Sequence, residues 1–325
     1  MIAMLQAKNR AEADGTVDVE RGALHVVGSD LEVPFVRVSG CAGPRFALTA
    51  GVHADEYVGE QALVELADEL AALPRGVLKG SVTLVPVVNV AGFARRGTSM
   101  VPEEEGSETN LNRVFPGSPD GSLAERVAHA VFAGAVAGSN YYVDLHSGDY
   151  YEDLAPHLYY VADLPVSPES RRLAACTDVR IVVPCYETLR GGTYAAAAAA
   201  GIPSILLERG GMGAWSRPEV DAVKADVMNM LRFAGMLEGT VRDLRASQCD
   251  YEEMLDLYSP CGGFWYPAKR PGGCFAAGES LGQVRDAFGT VLHEVSAPKA
   301  GVVVYQTGSL NVVQDGPLIA YALFA

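Results

Sequence analysis

The 325-residue sequence predicts an α/β fold, a sheet flanked by helices, followed by a smaller all-β domain towards the C-terminal end. Three observations predict it. Near-continuous Val, Ile and Leu runs alternate with helical patterns from about residue 45 to 237, as expected when helices cover both faces of a sheet. Apolar stripes at helical spacing lie between those runs. From about Ser259 the texture changes to short strands separated by Gly and Pro.

Residues 81–90 (SVTLVPVVNV), 141–145 (YYVDL), 179–183 (VRIVV) and 204–207 (SILL) read as buried strands. Val58, Ala62, Leu63, Leu66, Leu70 and Leu73 define one amphipathic helix starting near Tyr57. A second starts near Ser216, where Ser216 and Glu219 form a capping box and Pro218 lies in the first turn, ahead of the Val223, Val227, Met230 and Leu231 stripe. The alanine run 195–200 reads as a tight helix against the sheet, because Ala favours helix and permits close backbone approach. The tail segments GGFWYPA, ESLGQVRD, TVLHEVSAPKAGVVVY and PLIAYALFA read as a small β domain. The chain therefore divides into residues 1–240, with an N-terminal β extension, and residues 255–325, with a polar boundary between Gly239 and Ser259.

Hydrophobic residues make up 49% of the chain and charged residues 20%, a globular balance. A formal net charge of −15 repels nucleic acid and anionic membrane alike, which excludes both as partners. No stretch approaches a membrane span and the first residues lack the apolar core of a signal peptide, so a cytoplasmic protein is expected. The six cysteines, Cys41, Cys176, Cys185, Cys249, Cys261 and Cys274, never form a C-x-x-C pair. They are expected to be mostly small buried hydrophobes. Homo-oligomerisation is compatible with all of this.

The segment LTAGVHADE places His53 and Glu56 three apart where a strand gives way to a helix. Such a pair can grip one cation. A catalytic zinc takes three N or O ligands and keeps one position open, so a third ligand must come from elsewhere. His146 in DLHSG supplies it from the carboxyl end of an apolar strand, where sites gather in open α/β sheets. Taken alone, H-x-x-E arises often by chance, and His53 could equally be a helix-start histidine. Asn112 and Arg113, within LNRVFPG, offer an amide and a guanidinium fork suited to a carboxylate. The alternative for Arg113 is a surface ion pair. Glu208, at the end of the strand 204–207, is placed to move protons beside a metal-activated water. Its alternative is to pair with neighbouring Arg209.

The ordered set H-x-x-E, L-N-R-x-F-P-G, D-L-H-S-G and E-x-G-G resembles the succinylglutamate desuccinylase and aspartoacylase family, zinc hydrolases with a carboxypeptidase A-like mixed sheet. The resemblance runs from about Gly40 to the C-terminus, because S-P-x-G-G-F, G-E-x-L-G and A-P-x-x-G also match that family's extra, barrel-sandwich-like domain. It implies one Zn2+ per chain on His53, Glu56 and His146. It further implies that Asn112 and Arg113 hold the substrate carboxylate and that Glu208 is general base and acid. The implied activity is removal of an acetyl or succinyl group from a small N-acyl amino acid. Two departures stand out. Asn110 occupies the position that usually carries Asp before L-N-R. An Arg that polarises the scissile carbonyl is also expected soon after Asn89, and Thr98 stands there; a shift of register assigns the role to Arg96, or else to Arg95. Lys299 lies where a carrier domain would bear its prosthetic group, but without carrier-type neighbours it reads as a turn lysine. Two other readings stay open: a metallocarboxypeptidase acting on peptides, and a non-catalytic zinc- or ligand-binding module of the same fold.

Overall fold

A computed structural model describes residues 16–95, 99–103, 107–186 and 191–324. The strands are β1 (Asp18–His25), β2 (Glu32–Ser39), β3 (Cys41–Ala50), β4 (Lys79–Val85), β5 (Val101–Pro102), β6 (Glu108–Thr109), β7 (Tyr141–His146), β8 (Glu152–Leu154), β9 (His157–Val161), β10 (Ile181–Cys185), β11 (Ser204–Glu208) and β12 (Cys249–Asp250). They continue as β13 (Glu253–Tyr258), β14 (Gly263–Pro267), β15 (Cys274–Phe275), β16 (Ser280–Arg285), β17 (Val291–Ser296), β18 (Gly301–Thr307), β19 (Asn311–Val312) and β20 (Pro317–Leu323). The helices are α1 (Tyr57–Ala71), α2 (Val90–Arg95), α3 (Leu123–Val131), α4 (Ser167–Ala174), α5 (Thr193–Ala199) and α6 (Arg217–Phe233).

Nine strands form one mixed sheet in the order β1-β2-β4-β3-β7-β11-β9-β10-β12. Its centre, β4-β3-β7-β11, is parallel, while β9 runs antiparallel to β11. Side chains alternate across a strand, so each strand feeds two different cores. Phe46, Leu48, Val143, Leu145, Ile205 and Leu207 pack beneath α1, α4 and α6. Ala47, Tyr142 and Leu206 face the other way, against Tyr194, Ala197 and Ala198 of α5. The alanine run is thus the helix expected, lying on the sheet. Along β7 the same alternation sends Tyr142, Asp144 and His146 to the α5 face.

The apolar run 81–90 does not continue as a strand. It stops at Val85, immediately before Pro86, which has no N–H to offer the sheet, and α2 begins at Val90. At α6, Ser216 caps the helix by accepting from Glu219 N. The return half of the predicted box is not made, because Glu219 turns towards Arg209, 3.7 Å away. Both halves form instead at α3, between Ser122 and Glu125.

The tail folds as two antiparallel sheets, β13-β20-β18-β15 and β17-β16-β14-β19, around Trp265, Leu281, Val284, Val303, Ile319 and Tyr321. The long run TVLHEVSAPKAGVVVY is cut into β17 and β18 at the turn bearing Lys299, an exposed residue that pairs with Glu252 at 3.3 Å. One strand from earlier in the chain joins this region: β8 pairs antiparallel with β18. Cys176 and Cys185 are buried as expected. Cys41, Cys249 and Cys274 are exposed, each opening a strand where the sheet meets solvent, which corrects the expectation for those three.

His157, 1% exposed on β9, donates from Nδ1 to Ala155 O at 2.9 Å and accepts at Nε2 from the Tyr159 hydroxyl at 3.0 Å. Burial pushes its pKa down from 6.5 to about 4, the bond to Ala155 opposing. Between those values the unfolded chain binds a proton that the folded chain refuses, so stability falls as pH drops from 6.5 towards 4. The loss approaches about 3 kcal/mol at the acid end. In urea titrations across this range, His157→Gln should lose less stability than wild type. A gap between the two that stays constant with pH would refute this account.

Candidate metal centre and active site

β3 ends at Ala50, and Gly51 takes a left-handed turn at φ 64° with its carbonyl accepting from Asn89 N at 2.7 Å. A side chain there would meet the Glu60 carboxylate 2.6 Å from its Cβ, so the turn that delivers His53 favours glycine on both counts. Glu56 precedes α1 in the N-cap position but caps nothing with its side chain. Its carboxylate is turned to two histidines instead: Oε1 lies 2.6 Å from His53 Nδ1, and Oε2 lies 2.7 Å from His146 Nδ1. Ser147 N also donates to Oε2, at 3.1 Å.

The other ring nitrogens are tied as well. His53 Nε2 lies 3.1 Å from Asn110 Oδ1, and His146 Nε2 lies 3.1 Å from Asp144 Oδ2. Asp144, wholly buried, accepts from Thr49 Oγ1 at 2.7 Å through its second oxygen. Histidines that ligate metals characteristically donate their second N–H to such a partner, which fixes the tautomer and leaves the first nitrogen free to coordinate. Ligand atoms of His53, Glu56 and His146 lie within 4.8 Å of one another and could hold a metal ion. The N and O donor set, the convergence of two Nδ1 atoms and the anchored Nε2 atoms all fit a zinc-type cation.

The carboxylates beside the two histidines set how this cluster titrates. Burial alone would lower His146, but the Glu56 and Asp144 carboxylates raise it well above 6.5. His53 is raised too: burial opposes and Glu56 prevails. Burial alone would raise Glu56, yet His146 and His53 bring it down to about 2.

Glu208 closes β11 opposite His146 in the parallel ladder, so the two side chains leave the sheet on one face. Its Oε2 is buried and makes no hydrogen bond among the described residues. Burial, then the nearby Glu56, hold its pKa well above the carboxylate range. It does not pair with Arg209. That guanidinium is engaged on the opposite side with Asp178 and with Asp226, the latter at 2.8 Å.

Asn112 and Arg113 sit in a short 3-10 turn, Leu111–Arg113, whose N-cap is Asn110. Asn112 is buried and spends its Oδ1 on Thr193 N at 3.0 Å, at the start of α5, so its amide N–H groups are what it can offer a ligand. Arg113 is exposed and donates to Asn112 O at 2.9 Å. Arg95 ends α2 and is exposed. Arg96 and Thr98 lie outside the described residues. Asn110 stood out in the sequence only as a departure from the usual Asp; the partners that sequence reasoning did not single out are Asp144 and Thr49. Only Asp144 left a signal, two positions before His146 and hence on its face of β7.

Residues 42–234 match the model of the succinylglutamate desuccinylase/aspartoacylase catalytic domain, more than half of the chain. The chain belongs to that family. Within it, an N-alpha-acetyl-L-2,4-diaminobutyric acid deacetylase of Halomonas elongata is 39% identical over 153 residues, 45% of this chain. That match spans only 42% of the relative's length. The ectoine utilization protein EutE of Ruegeria pomeroyi, solved with product bound, superposes with a TM-score of 0.83 at 25% identity, covering 95% of this chain and 96% of that one. A Rhodobacter sphaeroides succinylglutamate desuccinylase/aspartoacylase gives 0.81 at 23% identity, over 97% of this chain and 98% of its own. At that identity it speaks for the fold alone. The carboxypeptidase-like mixed sheet with a C-terminal β region is therefore the family's architecture. No helix of the described residues is long and apolar enough to cross a membrane.

Proposed function

We propose that this family member is a zinc-dependent amidohydrolase that removes an acyl group, acetyl or succinyl, from a small N-acyl amino acid. The observation that carries the reading is the pair of Nδ1 atoms converging on Glu56, each Nε2 anchored, beside the buried, unpartnered carboxyl of Glu208. His53, Glu56 and His146 would hold one zinc ion, which when bound acts as a Lewis acid that polarises a carbonyl and acidifies water. Glu208 takes the proton from the attacking water at Oε2 and delivers it to the leaving amine nitrogen as the C–N bond breaks. Asn112, through its amide, and Arg113 would hold the substrate carboxylate. Arg96, with Arg95 as the alternative, would meet the charge developing on the carbonyl oxygen. Residues 1–240 would carry this chemistry, and residues 255–325 would narrow the mouth of the site against peptides.

The name of the Halomonas relative supports acetyl as the acyl group. The test is hydrolysis of a panel of N-acetyl and N-succinyl amino acids and short peptides, with and without a chelator. Chelator-sensitive release of one amino acid is expected. Cleavage of peptides in preference would establish the carboxypeptidase instead, and binding without cleavage would point to the non-catalytic module.

A further inference from the structure

Glu208 Oε2 makes no hydrogen bond among the described residues, so that oxygen is placed by the backbone that carries it. This backbone is tied to the segment after His146 beyond the ends of β7 and β11. Arg209 N donates to His146 O at 3.1 Å, Gly148 N to Gly210 O at 3.0 Å, and Gly213 N to Gly148 O at 3.2 Å. A fourth tie is Met212 N, which donates to Glu152 O at 2.8 Å. The carbonyl of Glu152 is thus a point at which the loop after His146 and the loop after Glu208 meet.

That oxygen is tightly enclosed. Gly148 and Gly211 press on it from the two loops: a methyl at Gly211 would stand 2.6 Å from Glu152 O, and one at Gly148 closer still. Neither glycine has a left-handed φ, so what excludes a side chain at either place is the carbonyl and not the backbone conformation. Ordinary contact begins at 3.4 Å, so a methyl at position 211 would drive the two loops apart by about 0.8 Å. Close-packed interiors transmit such strain to their neighbours.

Glu152 also opens β8, the strand that the C-terminal sheets hold. β8 pairs with β18 from Glu152 opposite Thr307 to Leu154 opposite Tyr305. Two further bonds flank the pairing: Gly308 N donates to Tyr151 O at 2.6 Å, and Ala155 N to Val304 O at 2.9 Å. The segment between His146 and β9 is therefore fixed on one side by the loop after Glu208 and on the other by β18.

We propose that Glu152 is a positioning residue: its main-chain carbonyl, clasped between Gly148 and Gly211, sets the spacing of His146 and Glu208, and through β8 it makes the C-terminal sheets part of that alignment. This rests on the deacylase reading above and adds to it a residue that acts through the backbone of others.

Gly211→Ala, loaded with zinc, should lose about 10²-fold in kcat on the best panel substrate, the scale expected when reacting groups are displaced by close to 1 Å. Zinc content should be unchanged and KM should stay within about twofold. Gly148→Ala crowds the same oxygen from the other loop and should do the same. Gly262→Ala, whose methyl would meet Val312 O at an ordinary 3.6 Å, should keep wild-type kcat. A merely structural clasp would lower the melting temperature and leave the kcat of the folded chain alone. Wild-type kcat in zinc-loaded Gly211→Ala or Gly148→Ala, or a loss that follows zinc content, would overturn the proposal. Amide exchange in the wild-type chain needs neither variant nor turnover, and decides where neither variant folds. Protection factors at Gly148, Met212, Gly213 and Gly308 should agree within about threefold, because one opening releases all four. Met212 or Gly308 opening more than about tenfold more readily than the others would overturn the clasp. Common protection in a chain that hydrolyses nothing on the panel leaves the clasp standing and the deacylase reading refuted; hydrolysis without common protection is the reverse.

Discussion

Glu208→Gln is expected to keep its metal and its fold while turnover falls about 10²- to 10⁴-fold, the range associated with losing a positioned general acid–base. The amide is isosteric with the carboxyl but can neither accept the proton from water nor deliver it to the amine. No existing contact is sacrificed, because Oε2 has no partner among the described residues. Stability should be unchanged or slightly higher, since the substitution removes a buried acid held close to the Glu56 carboxylate. The measurement is kcat on the best panel substrate alongside zinc content and a melting curve. Wild-type turnover in a zinc-loaded variant would exclude Glu208 from proton transfer. A loss of zinc together with activity would make it a structural or ligating group.

Zinc removal is the second large effect. In the metal-free chain the folded pKa of His146 lies above its unfolded value of 6.5, so the stability it gains from Glu56 and Asp144 is complete below about 6.5. That contribution is lost as pH rises through the folded value. Zinc must displace the same protons, so its binding strengthens with pH and releases protons. At a free zinc concentration about 100 times Kd, binding only to the folded state is worth about 2.7 kcal/mol. That is a rise of roughly 5–10 °C in melting temperature for a domain of this size. The gain on adding zinc to chelated protein should be larger at pH 8 than at pH 6, with proton release visible as a buffer-dependent binding enthalpy. Zinc that leaves the melting temperature unmoved at both pH values, or stabilises equally in His146→Ala, would show that the three residues do not form its site.

Much of this molecule is legible in local pattern. The stripe expected from Val58 to Leu73 is α1 as far as Leu70, with Leu73 just past its end, the apolar run ending at Leu207 is β11, and Ser216 does cap α6. These rest on interactions between residues a few positions apart, where the period of the chain itself says what faces what. Motif order placed His53, Glu56, His146 and Glu208 among the candidates, and the folded chain brings the first three together.

What the sequence could not carry is which distant residue stands next to which. Asn110 behind His53, Thr49 behind Asp144, and β8 completing the sheet of β18 all join parts of the chain far apart in number. The clasp on the Glu152 carbonyl is of the same kind, gathering Gly148 from one loop and Gly211 from another. Composition and periodicity determined the layers, the helices and the chemistry available at strand ends. Strand order, register and the packing of two core regions decided how that chemistry converges, because loop closure and side-chain packing, not local propensity, select among the pairings that local pattern allows.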